Sequence, residues 1–180
     1  MADLAHTLTE AGLGLEYDVV RLVDHDPRWI AAGALGSAVL RQVCGAAARD
    51  VRHVGSTAVP GLIAKPILDV AVLLRMASDL DEVVARLRGL GLIPRGPSDG
   101  GYLLVLESAP SIRVAHVHVV NPGDAEWGRY LQFGDRLRAD PAARERYAAT
   151  KRALADQFPA DRSRYTDGKT ETIRSLLRPD

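Results

Sequence analysis

Residues 66–74, "PILDVAVLL", constrain this chain more than any other stretch. The run is short and rich in aliphatic and β-branched residues, so it reads as a strand covered on both faces. Such a strand needs a sheet with a packed layer on each side, and 180 residues at 47% hydrophobic composition supply the apolar material for one such core. One residue breaks the pattern. Asp69 places a carboxylate among aliphatics, where it is costly unless a cation or a metal ion accompanies it.

The flanking segments predict the rest of the sheet and its layers. "VRHV" before this run, and "GYLLVLES" and "IRVAHVHVV" after it, are strands, the last two joined by the turn "APS"; "YDVVRLV" near the start predicts another. The first fourteen residues predict a short helix ended by Gly12 and Gly14. From Arg28 to about Ala48 an alanine-rich stretch carrying Trp29, Ile30, Val39, Leu40, Val43 and Cys44 predicts a core helix. "DLDEVVARLRGLG" is an amphipathic helix with an acidic first turn and a glycine stop. Helices over about 124–139, 141–157 and 162–177 close the chain, divided by Pro141 and by Phe158-Pro159. The expected fold is therefore α/β (α+β): one domain over residues 1–180, with a mixed β-sheet flanked by helices and a helical C-terminal third.

Charge and composition exclude some partners. The 23 basic and 23 acidic side chains cancel, and the last sixty residues carry 12 Lys/Arg against 10 Asp/Glu, so duplex nucleic acid is not an expected partner. Nine aromatic residues are too few and scattered for a base-stacking platform. Cys44 has no second cysteine to pair with and fits a small buried thiol in a reducing, cytoplasmic setting. No apolar run approaches the roughly twenty residues that span a bilayer, and "MADLAHTLTEAG" lacks a basic region followed by an apolar core, so no membrane partner is expected.

The chemistry gathers around the opening strand. Gly55 and Ser56 form a turn directly after a strand, a position that exposes backbone N–H groups to phosphate oxygens, with hydroxyl groups on Ser56 and Thr57. Asp69 follows Ser56 by thirteen residues, on the next strand. His116 and His118, two apart on a strand, project from one face, and an H-x-H pair with an aspartate suits a divalent transition metal. His53 precedes the turn, and Glu107 is the carboxylate of the preceding strand, able to complete a ligand set if the strands pair suitably. Each of these also has an ordinary reading, as a plain turn, a hydrogen-bonded histidine pair or a solvated lysine.

A hydrophobic-Gly-Ser turn followed by a strand aspartate resembles the entry motif of the nucleotidyltransferase fold. "HVGSTAVPGLIAKPILDV" closely resembles the signature of the GrpB family, some members of which are fused to dephospho-CoA kinases. "VRLVDHDPRW", "HVHVVNPGDAEW", "LQFGDRLRADPAARERYAATKRALADQFP" and "RYTDGKTETIRSLL" extend the resemblance over about residues 19–177. It implies a nucleotidyltransferase-like fold. It also implies a reaction in which a divalent metal, Mg²⁺ or Mn²⁺, helps move a nucleoside monophosphate from a nucleoside triphosphate to a small-molecule acceptor. In that reading Asp69 and His118 are catalytic, Asp69, His116 and His118 hold metal, and Gly55, Ser56, Thr57, Lys65, Arg138 and Lys169 meet the nucleotide phosphates. Arg136 is the second arginine of its helix, but only Arg138 matches the family motif. Thr166 or Asp167 is a candidate N-cap for the last helix, so capping competes there with ligand binding.

Three departures weigh against turnover. A two-metal nucleotidyltransferase presents carboxylates two residues apart on one strand; here the second position is Ala71. Arg52 stands where the family usually has an acidic residue, removing compensating charge, and Gly134 stands where an arginine is usual, removing a phosphate or carboxylate contact. The alternative expectation is a catalytically degenerate module that binds a ligand or partner without turnover.

Overall fold

The computed structural model describes residues 3–98 and 100–178. Its centre is a mixed sheet in the order β2-β3-β6-β5-β4, built from β2 (Ala48–Val54), β3 (Leu68–Leu74), β4 (Ile93–Ser98), β5 (Gly101–Ala109) and β6 (Ile112–Val120). β3 and β6 run parallel, and the other neighbours are antiparallel. β1 (Leu15–Glu16) pairs with the first residues of β6, ahead of the point where β3 begins.

Period-two alternation divides β3 between two environments. Leu68, Val70, Val72 and Leu74 join Val117 and Val119 of β6 and Leu104 and Leu106 of β5 in the main core. This face is covered by α1 (Leu4–Glu10), α2 (Arg28–Cys44) and α3 (Leu80–Gly89), which contribute Leu8, Trp29, Leu40, Val83 and Leu87. The opposite face, carrying Asp69 and Ala71, turns toward the C-terminal layer, in which α4 (Ala125–Ala139) packs on β2 and β3, α5 (Pro141–Gln157) and α7 (Thr170–Leu177) pack on α4, and α6 (Arg162–Gly168) packs on α5 and α7. Those helices have their own apolar cluster, in which Leu137, Ala143, Tyr147, Ala148 and Leu176 pack on Val59 and Leu62. The mixed sheet, its flanking helices and the helical last third are as the sequence predicts.

Four local expectations need correction. Residues 17–23 form no strand: Val23 makes a single bridge to Ala64, and Val20 donates to the Pro159 carbonyl, so the segment ties loops together. β4 was not expected, because Pro94, Gly96 and Pro97 disfavour strands; at the sheet edge, with a register shift between Pro94 and Gly96, they are tolerated. The last predicted helix is two, broken at Lys169. Gly168 lies so close to α5 that a Cβ there would come within 2.5 Å of Leu154, and Thr166 and Asp167 lie inside α6, whose N-cap is Asp161. Finally, Arg28–Ala47 is 20 residues at mean hydropathy 1.3, long and apolar enough to cross a membrane by those measures alone. Its Trp29, Ala32, Gly36, Leu40 and Cys44 pack into the core against β2 and β3, as a core helix does.

Candidate functional site

Asp69 sits near the start of β3, register-paired with Val54 on one side and His116 on the other. The parallel register then sets Ala71 beside His118, so both imidazoles rise from β6 on the face that carries Asp69. Asp69 Oδ1 is 2.9 Å from His116 Nδ1 and 3.3 Å from His118 Nε2. His116 Nε2 accepts from Arg113 Nη1 at 3.1 Å, which puts the ring proton on Nδ1, where it is donated to Asp69. The His118 ring leans on Tyr130, with centroids 5.3 Å apart. Ala71 is fully buried, so the position of the absent second carboxylate is closed and His118 is the neighbouring polar group.

The turn before β3 is shaped around this carboxylate. Gly55 has φ +71°, and a Cβ on it would stand 2.6 Å from Asp69 Oδ2, so both the backbone conformation and the close approach call for glycine. Thr57 is buried and bonds His53 Nε2 at 2.9 Å. His53 pairs with Val70, not Asp69, and its ring lies against the Gly33 backbone of α2 on the core face. Burial drives it down to about 4, so it is a neutral strut under the turn. Ser56 hydrogen-bonds the buried Tyr147 of α5, tying the turn to the helical layer.

Burial works against the charge on Asp69, but hydrogen bonds from His116 and His118 outweigh it and hold the carboxyl well below its usual range. Burial also takes His116 down to about 4 despite the pull of Asp69, leaving a neutral imidazole whose Nδ1 becomes a metal donor once its proton moves to Nε2 and Arg113 turns away. The three donor atoms lie within 4.8 Å of one another. Two imidazoles and one carboxylate fit a single divalent cation and suit borderline ions better than Mg²⁺, which prefers oxygen.

The expected phosphate contacts divide. Lys65 and Lys169 come together, with their Nζ atoms 4.8 and 4.7 Å from the centroid of the buried Tyr165 ring. Both are electrostatically coupled to Asp69. Burial, then Lys169 and Arg162, push Lys65 down to about 7. Arg138 lies apart: it donates to the Ala58 carbonyl at 3.2 Å and pairs with Asp135 at 2.9 Å, bracing the turn from α4. Its Nη1 is 3.2 Å from where a Cβ on Gly134 would stand, so the guanidinium covers that glycine. Arg52 pairs with Asp50 at the surface. Glu107 is not among the possible ligands; it accepts from Tyr17 and from Arg95 and so is already satisfied.

Three cationic residues were not anticipated. Leu106 pairs with Ala115 but Glu107 with Arg113, so the register slips at Val114 and turns Arg113 toward His116, where strict alternation would place it on the other face. Arg162 opens α6 and donates to the Glu16 and Tyr17 carbonyls. Lys151 is buried in α5, bonding the Ile63 carbonyl. Of the three only Lys151 leaves a trace in the sequence, as a lysine at i+4 and i+8 to Tyr147 and Ala143, on the apolar stripe of its helix.

Comparison with known proteins bears on the family and the fold. The GrpB protein family matches residues 19–178. A UPF0157 protein of Pseudomonas aeruginosa is similar at 37% identity over 164 residues, 89% of this chain and 67% of its own length. A dephospho-CoA kinase of Mycolicibacterium paratuberculosis is similar at 30% identity over 184 residues, covering 88% of this chain but 45% of that protein. Among solved structures, a crystal structure of conserved protein GrpB from Enterococcus faecalis superposes with a TM-score of 0.71 at 25% identity, covering 88% of this chain and 100% of that one.

Proposed function

The chain belongs to the GrpB family, and from that premise we propose that it transfers a nucleoside monophosphate from a nucleoside triphosphate to a small acceptor. The observation that carries this reading is the convergence of Asp69, His116 and His118 beside a Gly-Ser turn that closes directly on Asp69. A divalent cation held by these three residues, Mn²⁺ in preference to Mg²⁺, supplies neutralisation of phosphate charge. Gly55 lets the turn backbone approach the α-phosphate, and Lys65 and Lys169 meet the phosphates beyond it. The acceptor hydroxyl attacks the α-phosphorus, the α–β P–O bond breaks, and pyrophosphate leaves. The hydroxyl proton passes through water to solvent; His118, beside Ala71, is spent as a metal ligand and has no second lone pair to accept it.

Ala71 favours the second reading, a binding module without turnover, because loss of one carboxylate removes one metal. Each 1.36 kcal/mol added to the barrier slows the reaction tenfold. Incubation with the four common nucleoside triphosphates, Mg²⁺ or Mn²⁺ and a metabolite pool, followed by pyrophosphate release and mass spectrometry, separates the two. A specific adduct that disappears in Asp69→Ala supports transfer. Metal-nucleotide stabilisation with no adduct supports the module, and an identical melting shift in wild type and Asp69→Asn refutes the metal site itself.

A further inference from the structure

Around the Asp69 trio the cations outnumber the carboxylates. Asp69 is paired with the two histidines, while Lys65, Lys151, Lys169, Arg113 and Arg162 make no ion pair with a carboxylate among the described residues. The Asp69 charge favours the charged form of each of the five. Four of them form two stations. At the first, Lys65 and Lys169 share the Tyr165 ring. At the second, Arg113 stacks 4.2 Å from the Tyr17 ring centroid and Arg162 holds the Tyr17 carbonyl at 3.2 Å. Arg113 Nε and Arg162 Nη2 are buried without a hydrogen-bond partner. A folded chain seldom leaves guanidinium donors buried and unmet unless a ligand completes them.

We infer that Lys65, Lys169, Arg113 and Arg162 clamp a chain of phosphates and so take the place of the second metal ion for which Ala71 leaves no ligand. The inference rests on the transfer reading only for which phosphate chain is bound. In a two-metal site the second ion is held by paired carboxylates and neutralises the triphosphate. Here one carboxylate is present, and the neutralising charge is built into the protein on β6, the loop before β3, the start of α6 and the α6–α7 junction. Two stations anchored on different tyrosines, Tyr165 and Tyr17, suit an extended anion with a phosphate at each. Lys151, bonded to the Ile63 carbonyl two residues before Lys65 and set over the Tyr147 ring, is buried so that its charge is strongly disfavoured, and it stands outside the clamp. Burial lowers Lys65 and Lys169 alike, and a bound polyanion reverses that shift.

The test is calorimetric titration of the full chain in excess EDTA with inorganic tripolyphosphate, ATP and inorganic phosphate. Tripolyphosphate should bind without metal and orthophosphate should not. ATP binding no tighter than tripolyphosphate identifies the phosphate chain as the recognised group; ATP binding much tighter adds a nucleoside contact to the clamp. Lys65→Gln, Lys169→Gln and Arg162→Gln should each weaken tripolyphosphate by about tenfold or more, the scale of one charge-assisted hydrogen bond. Asp69→Asn should leave the affinity intact or raise it, which separates failure of the clamp from failure of the metal reading. Thermal melts of every variant confirm that it is folded. With ATP present, Mn²⁺ counted by electron paramagnetic resonance should saturate at one ion per chain. Absent metal-free binding, wild-type affinity in the folded lysine variants, or two Mn²⁺ per chain overturns the inference.

Discussion

On one face of the sheet Val70, Val72, Val117 and Val119 lie under α1, α2 and α3, and almost every group they meet is apolar. On the other, residues from the same two strands, Asp69, His116 and His118, hold one another, and the Asp69 charge acts on Arg113 of β6, Lys65 before β3, and Arg162 and Lys169 of the C-terminal layer. Side-chain alternation alone separates the two, so neighbouring residues of β3 do opposite things: the first face stabilises the fold, and the second spends part of that stability on holding charge out of water. Substitutions on the two faces should therefore differ in sign as well as size.

The largest effect belongs to the apolar face. Leu104→Ala removes a fully buried side chain from the main core and should destabilise by about 2–5 kcal/mol in urea denaturation, with ligand affinity per folded molecule unchanged. Loss of tripolyphosphate binding in a folded Leu104→Ala protein would mean that the faces are not independent.

Gly55→Ala comes next and tests the join between them. The φ of +71° and the 2.6 Å approach to Asp69 Oδ2 predict a cost of about 1–3 kcal/mol. It should also lower Mn²⁺ affinity, because the new methyl pushes on a ligand. Equal Mn²⁺ titrations of wild type and variant would show that the turn does not set the Asp69 geometry.

How far each face was legible in the sequence follows from the same contrast. The apolar face announces itself: "LDVAVLL" and "VAHVHVV" carry their strand period openly, and the histidine spacing places two imidazoles together on any strand. That they would meet Asp69 needed β3 and β6 to be neighbours, a long-range pairing that no local pattern encodes. The cationic wall was half visible. Lys65 and Lys169 lie in motifs, but Arg113 reaches the site through a register slip at Val114, and Arg162 through a helix start with no distinguishing spacing. Glu107 shows the reverse error, since a carboxylate on the right strand was consumed by Tyr17 and Arg95. β-branched composition misled at residues 17–23, where backbone partners come from loops, and proline hid β4, because an edge strand tolerates what a central one does not.

The third effect should be a gain. If the charged face costs stability, Lys169→Met, which keeps a long apolar stem against Tyr165, should raise ligand-free stability by about 1 kcal/mol while weakening tripolyphosphate binding. A melting temperature that falls in Lys169→Met would show that the cation contributes more through its ring contact than burial takes away.

The last effect is a slope with pH. Lys65 falls from 10.5 to about 7 in the fold, under burial and the repulsion of Lys169, Arg162 and Arg113 against the attraction of Asp69. Below pH 7 Lys65 is charged in both the folded and the unfolded chain, and the folded state bears the full penalty. Between pH 7 and about 9 the folded lysine loses its proton while the unfolded one keeps it, so the unfolded state binds more protons and stability rises with pH. Lys151 and Lys169 are shifted in the same direction and reinforce the slope. Above about pH 9 the rise slows, because burial raises the Cys44 thiol from 9.0 to about 11 and raises the Tyr147 and Tyr165 hydroxyls, so these groups ionise first in the unfolded chain. Urea midpoints from pH 6 to 10 should therefore climb from about pH 7 and level off near pH 10 without ligand. Saturating tripolyphosphate stabilises the charged lysines and should flatten or invert the rise between pH 7 and 9. A ligand-free midpoint that falls steadily over that interval would mean that the lysines are solvated and that the second face carries no electrostatic penalty for an anion to relieve.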